Sequence, residues 1–101
     1  MQCSIKEGSG TTVIVVHGDL DNEQAAKAFR DALNEILLSG KKNAVIDMSL
    51  VESINSYGIG KLLLFYKKFK DVNGELRVCS LKGHVKEVFE TLMLDRLFRV
   101  G

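Results

Sequence analysis

The stretch that decides the fold runs from Val45 to Leu63 and reads VIDMSLVESINSYGIGKLL. Its first three residues complete the segment Asn43–Asp47, whose apolar run Ala44-Val45-Ile46 is typical of a buried strand. A polar loop follows, and a helical pattern then begins near Ser56. A buried strand, a loop and a helix in this order predict one crossover unit of an α/β protein.

Two strands and a helix are predicted before this stretch. Cys3–Lys6 and Thr11–Val16 are strand-like, and the second is rich in β-branched residues. The segment Glu7–Gly10 between them contains two glycines, which favours a turn and an antiparallel hairpin. Asp21 or Asn22 would then cap a helix, because apolar residues recur at spacings of three and four: Ala25, Phe29, Ala32, Leu33 and Ile36.

The rest of the chain alternates helices and strands. The pattern predicts a helix from about Ser56 to Asp71, a strand over Glu75–Leu81, a helix from Gly83 to about Leu92 and a last strand over Leu97–Val100. The order ββαβαβαβ implies right-handed crossovers and a mixed, mainly parallel sheet, with function at the carboxyl ends of its strands. The predicted inward positions of the last two helices are Ile59, Leu62, Leu63, Tyr66 and Phe69, and then Val85, Val88, Phe89 and Leu92.

Length and composition fit one domain spanning residues 1–101. The formal net charge of +1 gives no general attraction to nucleic acid or to an anionic membrane. There is no signal-peptide pattern and no apolar run of the ~18 residues that a membrane helix needs, so we expect a cytoplasmic protein. Cys3 and Cys79 are interpreted as reduced packing residues, although strand pairing could bring them together.

The residues around Ser56 carry the clearest functional pattern. Ser56 stands at the predicted start of a helix, and Gly58 and Gly60 follow within its first turn. A glycine inside a helix costs about 1 kcal/mol relative to alanine, so two of them suggest that backbone amides must be reachable there. The alternative is that Ser56 serves only as a helix N-cap.

Four segments together resemble the STAS domain of bacterial anti-sigma factor antagonists. In that family a strand ends in Asp-hydrophobic-Ser, as in Asp47-Met48-Ser49, and Asp-Ser-Ser/Thr-Gly-hydrophobic-Gly follows, as in Asn55–Gly60. Gly18–Asp21 resembles the family's Gly-x-Leu-Asp turn, and Val85–Val100 resembles its final helix and strand. The chain departs from the pattern at Asn55, where aspartate is usual, and at Tyr57, which replaces a small hydroxyl residue.

The resemblance implies a phosphorylation switch with no catalysis, cofactor or metal of its own. An anti-sigma factor that is itself a serine kinase of the GHKL type would bind the unmodified protein and phosphorylate Ser56, and a PP2C-type phosphatase would reset it. A phosphate adds about −1.5 to −2 charges, which a helix N-terminus tolerates and a packed interface does not. The implied switch and partner-binding residues are Asn55, Ser56, Tyr57, Gly58, Gly60, Lys61 and Leu64, with Asp21, Asp47 and Ser49 in support.

Several alternatives stay open from the sequence. Leu64 faces away from Ile59 by helical angle, and it is either an isolated surface residue or an interface anchor. Asp19, Asp21 and Asp47 could form a magnesium site like that of a phospho-aspartate receiver domain. A STAS subunit of a transporter, a lipid-transfer complex or a stressosome-like assembly would share the same motifs. The sequence contains no P-loop and no Ser/His/Asp set, and it leaves the oligomeric state open.

Overall fold

A computed structural model of the chain describes residues 2–8 and 10–98, and places four strands in one sheet. The strands are β1 Gln2–Glu7, β2 Thr12–His17, β3 Asn43–Asp47 and β4 Glu75–Cys79, in the spatial order β1-β2-β3-β4. β1 pairs antiparallel with β2, and the β2–β3 and β3–β4 pairs are parallel. The predicted hairpin and mainly parallel sheet are therefore confirmed.

Four helices cover this sheet and share one apolar core with it. They are α1 Glu23–Leu38, α2 Ser56–Asp71, α3 Gly83–Thr91 and the short α4 Leu94–Leu97. Within the described residues, no helix has the length and apolar character that would let it span a bilayer. Alternate residues of the strands point into the core, together with one stripe from each helix. The fully buried core residues include Ile14, Val16, Ile46, Val78, Phe29, Leu33, Phe65, Phe69 and Phe89.

The predicted last strand is wrong at its start. Leu97 ends α4, and Arg99 and Val100 lie outside the described residues. A helical turn forms here because Leu94 and Phe98, four residues apart, both point into the core. The backbone amide of Phe98 donates to the Leu94 carbonyl at 2.9 Å, which closes that turn.

The inward face of α2 is rotated from the predicted one. Phe65 is fully buried, whereas Leu63, predicted inward, is 42% exposed. The buried stripe uses Gly58, Leu62, Phe65 and Phe69, spaced by three and four residues. Leu63 follows Leu62 directly, so it is turned by about 100° from that stripe. Leu92, the residue that follows α3, is likewise exposed although it was predicted inward.

The two cysteines are not joined by a disulfide. Cys3 lies in β1 and Cys79 in β4, at opposite edges of the sheet with β2 and β3 between them. Three strand spacings amount to about 14 Å, twice the Cα separation of about 7 Å that a disulfide allows. Both side chains are partly buried, and burial raises the pKa of the Cys3 thiol. Cys3 therefore favours its protonated, unreactive form.

Candidate functional site

The loop between β3 and α2 lies against the turn between β2 and α1, at the carboxyl edge of the sheet. Leu20 and Ile54 form a single parallel bridge between the two segments. The Leu20 amide donates to the Ser53 carbonyl at 2.9 Å, and the Asn55 amide donates to the Leu20 carbonyl at 3.2 Å. The start of α2 is therefore attached to the start of α1 through the backbone.

Two aspartates fix the loop at its two ends. Asp47 accepts a hydrogen bond from the Ser49 amide at 2.9 Å, as its predicted loop-tying role requires. Asp19 accepts from the amides of Glu52 and Ser53 at 2.9 and 3.1 Å. The sequence had suggested Asp19 only as a metal ligand, and its position in the Gly-Asp-Leu-Asp turn was the available signal for this second role.

The aspartates do not form the magnesium site that was considered. Within residues 2–8 and 10–98, no three His, Cys, Asp or Glu side chains are grouped so that they could hold a metal ion. Asp19 and Asp47 each direct an oxygen at backbone amides of the loop instead. The geometry gives no support to a receiver-like site.

Asn55, rather than Ser56, is the N-cap of α2. Its side-chain oxygen accepts from the Tyr57 amide at 3.0 Å, while its side-chain nitrogen donates to the Asp21 carbonyl at 2.8 Å. An aspartate could make the first bond but not the second, because a carboxylate has no proton to donate. The departure from the family pattern at Asn55 thus has a structural role: it joins α2 to the β2–α1 turn.

For the N-cap of α1, the sequence left a choice between Asp21 and Asn22. Asn22 accepts from the Ala25 amide at 2.9 Å and is the cap. Asp21 does not cap, and its side chain instead accepts from the Asn22 side chain at 3.2 Å. Asp21 supports the site through its main-chain carbonyl, which accepts the hydrogen bond from the Asn55 side-chain nitrogen.

Asn55→Asp should destabilise the protein by about 1 kcal/mol, although aspartate is as good an N-cap as asparagine. The substitution removes the donor to the Asp21 carbonyl and places a carboxylate oxygen beside it. Asn55→Ala, which loses both bonds, should cost more. Urea unfolding of the wild type, Asn55→Asp and Asn55→Ala measures the order of their free energies of unfolding. An Asn55→Asp variant as stable as the wild type would contradict the bridging role.

Ser56 is the first residue of α2, and it is exposed together with Asn55 and Tyr57. Its hydroxyl makes no hydrogen bond to any other described residue. An N-cap hydroxyl would be occupied by a backbone amide, whereas this one is available to an incoming group. The interpretation of Ser56 as only an N-cap is therefore wrong.

The two glycines of the first turn differ in their surroundings. Gly58 is buried, and a Cβ built there would lie 2.7 Å from the Leu20 Cβ and 2.8 Å from the Leu20 carbonyl oxygen. A Cβ at Gly60 would have no described atom within 4 Å apart from the adjoining backbone of its own helix. Gly58 therefore allows α2 to pack on the Leu20–Ile54 bridge, while Gly60 leaves an exposed gap on the helix surface.

The outward side of α2 carries the remaining candidate residues. We call it the α2 outer face. Tyr57 is 50% exposed and Leu64 is 41% exposed, so Leu64 is not a core residue. Lys61 is partly exposed. The α2 outer face comprises Tyr57, Gly60, Lys61, Leu64, Lys67 and Lys68.

His84, at the start of α3, lies against the loop. Its Nε2 is 3.4 Å from the Ile54 carbonyl oxygen. A cavity of about 350 Å³ lies beside it, lined by Val51, Glu52, Lys82, Gly83 and His84. No short-range sequence pattern predicts this contact, because it joins residues 30 apart.

Comparison with known proteins agrees with this architecture. The STAS domain family model matches residues 2–101. The chain is 43% identical over 101 residues to BtrV, a candidate anti-sigma factor antagonist of Bordetella bronchiseptica, with all of this chain and 86% of BtrV aligned. The chain thus belongs to the STAS domain family, in the group of anti-sigma factor antagonists, which are regulatory proteins rather than enzymes.

Three solved structures, of two proteins, show the same fold. A candidate anti-sigma factor antagonist of Thermotoga maritima superposes with a TM-score of 0.89 at 23% identity, covering 97% of this chain and 84% of that one. Bacillus SpoIIAA in its phosphorylated form has a TM-score of 0.75 at 18% identity, covering 98% and 90%. SpoIIAA in its unphosphorylated form has a TM-score of 0.70 at 19% identity, covering 94% and 96%.

Proposed function

We propose that this chain is a phosphorylation-switched anti-sigma factor antagonist of the cytoplasm, with residues 1–101 acting as one domain. When Ser56 is unmodified, the protein binds a serine-kinase anti-sigma factor of the GHKL type. Phosphorylation of Ser56 by that partner releases it, and a PP2C-type phosphatase restores the binding form. The observation that carries the proposal is the exposed, unengaged Ser56 hydroxyl at the first position of α2.

The helix start suits a phosphate on Ser56. The first backbone amides of a helix have no partner within it, and its N-terminus carries a partial positive charge. The first turn of α2 contains no acidic residue, and its cap, Asn55, is neutral. A phosphate here would therefore be stabilised by the helix rather than repelled, so the fold should survive modification.

The rest of the site would hold Ser56 in one position. Asp19 and Asp47 fix the preceding loop, and Asn55 joins the start of the helix to Asp21. A rigid loop presents the serine to a kinase at little ordering cost on binding. The likeness to SpoIIAA in both its phosphorylated and unphosphorylated forms supports a fold that is compatible with either state.

Incubation with the cognate anti-sigma factor and Mg·ATP should add one phosphate, located on Ser56 by mass spectrometry. Ser56→Ala should take up none. Ser49→Ala and Ser53→Ala are matched controls in the same loop and should be modified like the wild type. Phosphate on Ser49 or Ser53 of the Ser56→Ala variant, at the wild-type level, would reject the assignment. Acetyl phosphate and magnesium should give no adduct on Asp47.

A further inference from the structure

Positive charge is concentrated on α2. This helix carries four lysines and one aspartate, which gives it a net charge of +3 in a chain of net charge +1. The remaining residues together are therefore slightly acidic. The lysines are Lys61, Lys67, Lys68 and Lys70, and the aspartate, Asp71, is the last residue of the helix.

These lysines have no carboxylate partners within the described part of the chain. The ion pairs there join Arg30 to Asp31, Lys41 to Glu7 and Arg77 to Glu75, all outside α2. Two α2 lysines contact aromatic rings of their own helix instead: the Lys68 amine lies 5.0 Å from the Phe65 ring centre and the Lys70 amine 5.6 Å from that of Tyr66. The charge on this helix is thus not neutralised by the fold.

The unpaired lysines alternate with apolar groups on the α2 outer face. At about 100° per residue, Tyr57, Lys61, Leu64 and Lys68 lie within about 60° of one another around the helix. Tyr57 and Leu64 are roughly half exposed. Beside them, the space over Gly60 is open, so another chain can approach the backbone closely. An exposed aromatic and an aliphatic side chain flanked by charged groups match the apolar centre and polar rim of a protein interface.

We infer that the α2 outer face docks on an acidic surface of the partner protein, with Tyr57 and Leu64 entering an apolar pocket that carboxylates surround. This inference rests on the proposed function and names the chemistry of its partner. Complementary charge chiefly accelerates association and selects the partner. A phosphate of about −1.5 to −2 charges on Ser56 would offset much of the +3 of this helix, so the switch would also weaken long-range attraction.

The test is the association rate with the purified cognate anti-sigma factor at 50 and 500 mM NaCl. For the wild type we expect a fall of about tenfold or more over this range, since electrostatic steering is screened by salt. The double variant Lys61→Gln/Lys68→Gln should associate about tenfold more slowly at low salt and lose most of the salt dependence. Leu64→Ala should instead raise the dissociation rate.

The matched control is Lys41→Gln/Lys42→Gln, which removes two lysines just before β3, at the opposite edge of the sheet from Ser56. It should behave like the wild type, and circular dichroism confirms that each variant is folded. Salt-independent association, or equal effects of the two double variants, would overturn the inference while phosphorylation of Ser56 still stands. The inference would also be overturned if the protein bound vesicles of 30% phosphatidylglycerol while its association with the partner showed no salt dependence. If the partner neither binds nor phosphorylates the wild type, the proposed function itself fails.

Discussion

Ser56→Asp should bind the partner kinase more than a hundredfold more weakly than Ser56→Ala, while being at least as stable. The aspartate places a negative charge at the centre of the proposed interface. Leaving an unpaired charge buried against a partner costs several kcal/mol, and about 3 kcal/mol already exceeds a hundredfold in affinity. The alanine adds no charge, so it should keep the wild-type affinity.

The two variants should rank in the opposite order in stability. Because Asn55 provides the cap, Ser56→Ala removes no capping bond, and its effect should be within about 0.5 kcal/mol, as for other exposed sites. An aspartate in the first turn interacts favourably with the helix dipole, by about 0.3–1 kcal/mol. Thermal unfolding measures the order of stability, and isothermal titration calorimetry with the partner measures the order of affinity. Equal affinity of the two variants would place Ser56 outside the interface.

Gly58→Ala should destabilise the protein by about 3 kcal/mol or more, the upper end of the cost of overpacking a core. The added Cβ would lie 2.7 Å from the Leu20 Cβ, 2.8 Å from the Leu20 carbonyl oxygen and 3.0 Å from the Ile54 Cγ1. The two Leu20 atoms belong to or adjoin the backbone, so they cannot move without displacing the β2–α1 turn. The first turn of α2 would have to shift away from the bridge.

Gly60→Ala is the matched control for this effect. It lies two residues further along the same helix, where an added methyl group would meet no described atom beyond the adjoining backbone of the helix. Alanine is a better helix former than glycine, so this variant should gain up to about 1 kcal/mol. Urea unfolding with an unchanged m-value reports both changes. A Gly58→Ala variant as stable as the wild type would show that α2 does not pack on the Leu20–Ile54 bridge as described.

The fold was predictable because its signals are local. α2 was predicted over Ser56–Asp71 and has those bounds, since apolar spacing marks its length and Asn73-Gly74 ends it. The error at Leu63 and Phe65 arose because apolar spacing of three and four residues fits two neighbouring faces of this helix. Four consecutive apolar residues, Leu62 to Phe65, leave the rotation of the helix open until the sheet selects one stripe.

The sequence indicated the residues of the candidate site but not the hydrogen bonds that join them. Sequence pattern and resemblance indicated Ser56, Asp47 and the two glycines. The bonds from Asp19 to the loop and from Asn55 to Asp21 span 33 or 34 residues, so no local pattern contains them. They exist because the sheet brings two carboxyl-end connections together. The steric reason for Gly58 also needs the position of Leu20, which only the folded structure supplies.

The central claim is that phosphate on Ser56 controls partner binding, and its most direct test is a titration of one protein in three states. The cognate anti-sigma factor is titrated calorimetrically with unmodified protein, with protein phosphorylated on Ser56, and with the same sample after phosphatase treatment. The account predicts tight binding, binding weaker by a hundredfold or more, and restored tight binding, in that order. Equal affinity of the phosphorylated and unmodified proteins would contradict it.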